Sequence, residues 1–481
     1  MGGLLILLLA AALGCPAQSS EPEQALLVIQ AAIQAGDLQR AVRLIDEGLV
    51  KHPEEAGLLN LRGIVHARRE ELPEARKDFS EAVRLKPGLT PAWQNLARAC
   101  QLEGDRSCAI DAWQHVLRLK PGDREALVAK TVLRSVDLAA RGQVSEATRE
   151  ASRLAAQADF SEADFESLQS ILAAPKAAAV VVTLVQGLDA RHAASLGSLR
   201  QLAVAYERLQ RPAEARKTLE RVALLDPNNT AHLLELARLA DAGKDYEGAL
   251  GYLAHARVLA PDNAQIHFLF AMVAEEMNLP IETRASLGRA LALDPGNPAY
   301  NYAMGTVILD TRDAAAAADY FRKFVKAKPA DPRGHYALGI AYFASGDYPK
   351  AKEELRMVES NPKTAAGGEY FLGRMALLDG DADEAARYLR KSIERRPTFS
   401  ESHTELARVL MSEGNLNEAH TELERALRLD PTSFQGNQQL LVLYGRTNDP
   451  RAEKQEEFLK KLDQERSRRS ELMLRTIEVR P

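Results

Sequence analysis

The prolines of this chain recur at a fixed interval, and this interval constrains the fold more than any other feature. Nine of them fall in three series with a spacing of 34 residues: Pro53, Pro87 and Pro121; Pro227, Pro261, Pro295 and Pro329; Pro397 and Pro431. Proline cannot continue a helix, and it disfavours helical geometry in the residue before it. Each of these positions therefore predicts the end of one helix and the turn that leads to the next.

Apolar residues recur at helical spacing between the prolines. One stripe at positions i, i+3, i+4 and i+7 comprises Trp93, Leu96, Ala97 and Cys100. A turn such as that at Gly104 or Gly346 follows, and a second stripe comes after it. The one β-branched run, 180–182, falls inside a helical period. Each period therefore predicts a hairpin of two α-helices.

A 34-residue helix–turn–helix period of this kind resembles the tetratricopeptide repeat, and the resemblance covers nearly the whole chain after residue 17. Three sets of matching residues are Trp93, Leu96, Ala97, Ala109, Trp113 and Pro121; Gly63, Ala75, Phe79, Ala82 and Pro87; and Leu338, Gly339, Tyr342 and Ala351. The resemblance implies an all-α fold, a right-handed α-solenoid of about twelve helix–turn–helix units with a C-terminal capping helix.

The repeats divide the chain into consecutive segments. We expect repeats 1–3 in 22–123, two degenerate repeats in 124–193, repeats 6–12 in 194–431 and cap helices in 432–481. Pro121 and Pro227 are four residues further apart than three periods, and we assign the excess to a long helix from Arg124 to Ala140. The alternative, a linker between two arrays, is disfavoured because the segment is apolar and helical.

The N-terminal segment has the pattern of a targeting signal. Leu4 to Leu13 form an apolar run about half as long as a membrane-spanning helix. We expect a signal peptide over residues 1–17, with cleavage before Gln18. One alternative is lipidation of Cys15, which would be the only membrane attachment. Another is that Met1 is not the true start of the protein, since a signal peptide usually has Lys or Arg before its apolar run and none is present here. We expect an exported bacterial protein of the periplasm, which is an oxidising compartment.

Composition and motifs argue against several classes of function. There are 62 Lys and Arg residues against 67 Asp and Glu, so the basic surplus of a nucleic-acid-binding protein is missing. The sequence lacks zinc-ligand spacing, a phosphate-binding GK[ST] loop and a G-x-S-x-G nucleophile motif. We therefore expect no metal, no cofactor and no enzymatic activity. His267, His335 and His403 share one repeat position, which we interpret as a packing position.

Two cysteines flank one predicted interhelical turn. Cys100 lies late in a first helix and Cys108 lies early in the second helix. A disulfide between them is possible in an oxidising compartment, and the alternative is a pair of small buried thiols.

The strongest candidate for a binding surface is a row of aromatic residues. The resemblance implies that first helices line the concave face, where four consecutive periods place Phe268, Tyr302, Tyr336 and Tyr370. The apolar floor of this face would be formed by Met272, Ile340 and Phe343, with Leu309 and Leu377. Positive charge along it would come from Arg238, Arg333, Arg374 and Arg408. Such residues suit a protein or peptide ligand. The alternative is that the row is repeat consensus.

Three hypotheses for function follow. The first is an exported, non-catalytic scaffold that binds a protein or peptide in the groove. The second is a lipid-anchored envelope component that binds polysaccharide as part of an export or assembly machine. The third is an accessory subunit of a separately encoded enzyme.

Overall fold

The computed structural model describes residues 21–478, and this part of the chain is helical, with 27 α-helices and no strand. It divides between Tyr252 and Leu253 into two compact units. Each unit is a solenoid of stacked helix pairs, as the repeat predicts. The proposed signal peptide, 1–17, and Cys15 lie outside the described residues.

The helices of unit 1, with α15 continuing past its end, are α1 (Glu21–Gln34), α2 (Leu38–Lys51), α3 (Ala56–Arg68), α4 (Leu72–Leu85), α5 (Thr90–Glu103), α6 (Arg106–Leu119), α7 (Arg124–Ala140), α8 (Val144–Ala155), α9 (Glu162–Ser167), α10 (Gln169–Leu172), α11 (Ala178–Asp189), α12 (Leu196–Arg208), α13 (Pro212–Leu225), α14 (Thr230–Ala242) and α15 (Tyr246–Leu259).

The remaining helices of unit 2 are α16 (Ala264–Glu276), α17 (Pro280–Leu293), α18 (Pro298–Asp310), α19 (Ala314–Ala327), α20 (Pro332–Ala344), α21 (Tyr348–Arg356), α22 (Ala365–Leu378), α23 (Ala382–Arg395), α24 (Ser400–Ser412), α25 (Leu416–Leu429), α26 (Phe434–Thr447) and α27 (Ala452–Glu478).

Small residues allow the two helices of a hairpin to approach closely. A Cβ added at Gly63 would lie 2.6 Å from the ring of Phe79, and one added at Gly305 would lie 2.7 Å from the ring of Phe321. Both rings are almost fully buried. The aromatic ring of the second helix therefore takes the space that a side chain on the first helix would occupy.

The turn within each hairpin places one residue in the left-handed region of backbone conformation, which glycine adopts most readily. In the turn between α5 and α6 of unit 1 this residue is Gly104, with φ of 79°, and the next residue, Asp105, accepts a hydrogen bond of 3.0 Å from the Cys108 N–H. The carboxylate thereby caps α6. In unit 2 the same position recurs every 34 residues, as Asn278, Arg312, Gly346, Gly380, Gly414 and Asn448.

The segment 124–193 packs into the core of unit 1. Helix α7 runs from Arg124 to Ala140 as predicted, and a 3-10 turn, Pro175–Ala177, leads into α11. The β-branched run 180–182 lies in α11 and is buried. The segment is therefore helical and packed, and its division into two degenerate repeats stays a prediction.

No helix within residues 21–478 combines the length and the apolar character that crossing a bilayer requires.

Candidate functional site

The four aromatic residues of the row lie on the first helices of consecutive hairpins in unit 2. Phe268 is on α16, Tyr302 on α18, Tyr336 on α20 and Tyr370 on α22. We call this set the aromatic row.

Each ring of the aromatic row packs against a neighbouring helix or turn. The ring centroids of Phe268 and Tyr300 are 4.8 Å apart, and those of Tyr302 and Phe324 are 5.0 Å apart. A Cβ at Gly367 would collide with the hydroxyl of Tyr336, so this tyrosine lies against the backbone of α22. The row therefore contributes to packing between helices.

Burial also changes the acidity of the tyrosines in the row. It raises the pKa of Tyr302, Tyr336 and Tyr370 above the ordinary value for tyrosine. Tyr370 is the most enclosed of the three, with 7% of its surface exposed. These hydroxyls remain protonated at physiological pH and can serve as hydrogen-bond donors.

A cluster of rings at the C-terminal end of the row was not predicted from the sequence. Neighbouring ring centroids are 5.7 Å apart for Tyr348 and Phe343, 5.1 Å for Phe343 and Phe371, 5.1 Å for Phe371 and Tyr370, and 5.2 Å for Tyr370 and Phe399. These five residues, called the ring cluster below, connect α20–α22 with the turn before α24. Tyr370 and Phe343 were predicted from the repeat, whereas Tyr348, Phe371 and Phe399 do not continue the 34-residue row and gave no periodic signal.

Most of the arginines that we expected to add positive charge are paired with carboxylates. Arg408 Nη2 lies 2.6 Å from Glu405, and Arg333 Nη2 lies 2.7 Å from Asp331. The hydrogen bonds from Arg333 hold the pKa of Asp331 below its ordinary value. Arg238, which belongs to unit 1, pairs with Glu207 and Glu235. Neighbouring carboxylates therefore offset the positive charge of these three residues, and their contact with a ligand stays a prediction.

Arg374 differs from the other three arginines. Its guanidinium lies over the rings of Phe343 and Tyr370, 4.8 Å and 5.7 Å from their centroids. Its nearest carboxylate, Glu405, is 3.9 Å away and already accepts hydrogen bonds from Arg408 and Gln435. Arg374 is therefore held in place mainly by aromatic faces.

The apolar floor is partly covered and partly exposed. Met272, Ile340 and Phe343 are each half-buried. Leu378, at the end of α22, has 59% of its surface exposed. The first helices of unit 2 thus present an apolar surface next to the ring cluster.

The three histidines at one repeat position form hydrogen bonds that our packing interpretation did not anticipate. Each donates from Nε2 to the carbonyl of the proline six residues earlier, at 2.8 Å for His267, 2.8 Å for His335 and 3.0 Å for His403. Trp93, Asn301 and Asn437 occupy the same position and donate to their prolines in the same way. In these six repeats the side chain therefore supplies an N–H donor as well as packing, whereas Leu59, Leu127 and Leu233 occupy the position six residues after the proline in other repeats.

Two of these histidines also face a carboxylate. The Nδ1 atoms of His335 and His403 lie 2.6 Å from Glu354 and Glu422 respectively. The pKa of both histidines is raised above the ordinary value. A purely packing role is therefore wrong for His335 and His403.

Cys100 and Cys108 are paired in a disulfide that crosses the turn between α5 and α6, with their Cα atoms 5.8 Å apart. Within the described residues, no three His, Cys, Asp or Glu side chains are grouped in a way that could hold a metal ion. The described surface offers apolar contacts and hydrogen-bond donors, which suit binding.

Comparison with known proteins supports the repeat assignment. Sequence profiles described as tetratricopeptide repeat match residues 29–90, 282–332 and 336–399, residues 196–239, and residues 376–438. Tetratricopeptide repeat protein 36 of Danio rerio is 29% identical over 133 residues, which are 28% of this chain and 67% of that protein.

Two further similarities are more limited. The tetratricopeptide repeat domain-containing protein PYG7, chloroplastic, of Arabidopsis thaliana is 29% identical over 79 residues, which are 16% of this chain and 26% of that protein. A solved tetratricopeptide repeat protein from Parabacteroides merdae aligns at 13% identity with a TM-score of 0.42, covering 52% of this chain and 98% of its own.

The profile matches together cover more than half of the residues, and they fall on the helix pairs described above. This chain belongs to the tetratricopeptide repeat family.

Proposed function

We propose that this protein is an exported, non-catalytic scaffold that binds a protein or peptide segment on the first-helix surface of unit 2. Members of the family generally act as scaffolds for protein interactions and are generally not enzymes. The observation that carries the proposal is the combination of the ring cluster with half-exposed apolar side chains on α20 and α22. Aromatic residues and arginine are enriched among the residues that dominate binding energy.

The chemistry of this surface favours a ligand with apolar anchors. Arg333 and Arg408 are paired with carboxylates of their own unit, so little uncompensated charge remains for a strongly acidic partner. Leu378 and Ile340 offer apolar contacts, and Arg374, held over two rings, can donate hydrogen bonds to backbone carbonyls. A peptide segment that places apolar side chains on α20 and α22 fits these features.

The proposal of export rests on two features. The apolar run Leu4–Leu13 has the length of a signal-peptide core. The disulfide between Cys100 and Cys108 suits a protein that works outside a reducing cytoplasm.

The test is crosslinking and co-purification from the source cell, followed by mass spectrometry. A triple variant, Ile340→Ser, Arg374→Ser and Leu378→Ser, removes side chains of the first helices. The aromatic row is left intact, because its members pack between helices and their loss would disturb the fold.

The matched control changes the strongly exposed apolar residues of second helices in unit 2, as Val258→Ser and Ile281→Ser. We expect a protein partner that the control retains and the triple variant loses. A partner that both variants retain would refute binding at this surface. Recovery of carbohydrate without protein would refute the peptide ligand in favour of a polysaccharide.

A further inference from the structure

Two hairpins of unit 2 contain the same three-part arrangement. His335 of α20 lies between the carbonyl of Pro329 and the carboxylate of Glu354 on α21. His403 of α24 lies between the carbonyl of Pro397 and Glu422 of α25 in the same way. The two sets are two repeats apart in the sequence, and each joins a first helix to its second helix and to the preceding turn.

Both arrangements require a doubly protonated imidazole. A backbone carbonyl and an ionised carboxylate can only accept hydrogen bonds, whereas a neutral imidazole has a single N–H. Both ring nitrogens of His403 lie within 3.0 Å of such acceptors. Arg425 lies 2.6 Å from the other oxygen of Glu422 and favours its ionised form. The imidazolium ion is therefore the form that satisfies the geometry.

The charged groups that act on the two histidines are few. For His335, burial opposes the charged form, but the Pro329 carbonyl, Glu354 and Asp331 together outweigh burial and raise the pKa. For His403, the hydrogen bond to Glu422 is the largest influence and raises the pKa, while burial and Arg425 oppose it. Glu422 has a pKa below its ordinary value, although burial alone would raise it.

We propose that His335 and His403 are pH-dependent clasps of unit 2, which hold α20 to α21 and α24 to α25 as imidazolium ions and release them when the proton is lost. This inference does not depend on the identity of any partner. Because the pKa is raised in the folded state, the stabilisation is complete below the unfolded value of about 6.5 and is lost as the pH rises through the folded value.

The chain contains its own matched comparisons. Asn301 and Asn437 hold the same repeat position and keep the hydrogen bond to the proline carbonyl with an amide, which does not titrate. His267 keeps that bond as well, but Ser286 stands where the clasps have a glutamate. An asparagine at 335 or 403 should therefore preserve the turn contact, and it removes the titrating contact with the glutamate together with its pH dependence.

The first measurement is an NMR titration of the full chain with labelled histidine, assigned with the variants His335→Asn and His403→Asn. The second is hydrogen exchange of the segments 332–356 and 400–429 from pH 6 to 8.5, corrected for the intrinsic rate. We expect both histidines to titrate above about 6.5. As the pH rises, the protection of these segments from exchange should fall about tenfold for each unit by which the pKa of the histidine in the folded state exceeds its pKa in the unfolded state.

Each variant should lose this pH dependence in its own hairpin, and the control His267→Asn should retain it in both. The proposal is overturned if both histidines titrate at or below the ordinary value, or if the asparagine variants keep the pH dependence of the parent. If a variant does not fold, hydrogen exchange of the segments 332–356 and 400–429 in the parent chain still decides the question, because protection that does not fall between pH 6 and 8.5 overturns the proposal.

Discussion

Replacing Gly305 by alanine tests the close approach of the two helices in a hairpin of unit 2. The added Cβ would lie 2.7 Å from Cε1 of Phe321 and 2.9 Å from its Cδ1 and Cζ atoms. Phe321 is only 1% exposed, so its ring has little freedom to move aside. Alanine gains about 1 kcal/mol over glycine in a helix interior, whereas overpacking of a core typically costs about 1–3 kcal/mol. We expect a net loss of up to about 2 kcal/mol.

Gly288→Ala is the matched control, because this exposed residue of α17 has no atom within 4 Å of an added Cβ. Here the helix propensity acts alone and should stabilise unit 2 by about 1 kcal/mol. The assay is urea denaturation together with hydrogen exchange of α17–α19, since repeat arrays can open locally. If Gly305→Ala stabilises the protein as much as Gly288→Ala, the close helix approach does not set the residue at this position.

Three further predictions concern single positions. Lys244→Gly should stabilise unit 1 by about 1 kcal/mol, because Lys244 has φ of 60° and a side chain is strained in this left-handed region, whereas glycine is not. A thermal melt measures the gain in stability. Asn301→Ala should destabilise unit 2 by about 1 kcal/mol through loss of its bond to the Pro295 carbonyl, whereas Asn301→His should retain stability in the same melt. Cys100→Ser should lower the free energy of unfolding by roughly 2.5 kcal/mol, because the unfolded chain regains the entropy that the disulfide removes, and denaturation measures this loss. If a thiol reagent reacts with Cys100 and Cys108 in the unreduced, denatured parent, the disulfide is absent.

The local rules of helix formation explain why the hairpins could be predicted. Proline breaks and apolar stripes act over fewer than ten residues, and they are visible in the sequence without any knowledge of the packing. They located the boundaries of α7 and assigned the run 180–182 to a helix in spite of its β-branched residues.

The candidate site was less accessible to the sequence. Spacing identified the aromatic row, but it could not show that Tyr336 lies against the backbone at Gly367 or that Tyr370 is nearly enclosed. It also missed Phe371 and Phe399, because contacts of the ring cluster join residues of different repeat positions.

The sequence by itself determined the period, the helix pairs and the turn residues of this protein, because each depends on the conformational preferences of neighbouring residues. Only the tertiary structure decided which charges are neutralised, as for Arg408 with Glu405, and which histidines face a carboxylate, as for His403 with Glu422. The His403 pair joins residues 19 positions apart on separate helices. The free energy of such contacts depends on distance and burial in three dimensions, which a linear pattern does not contain.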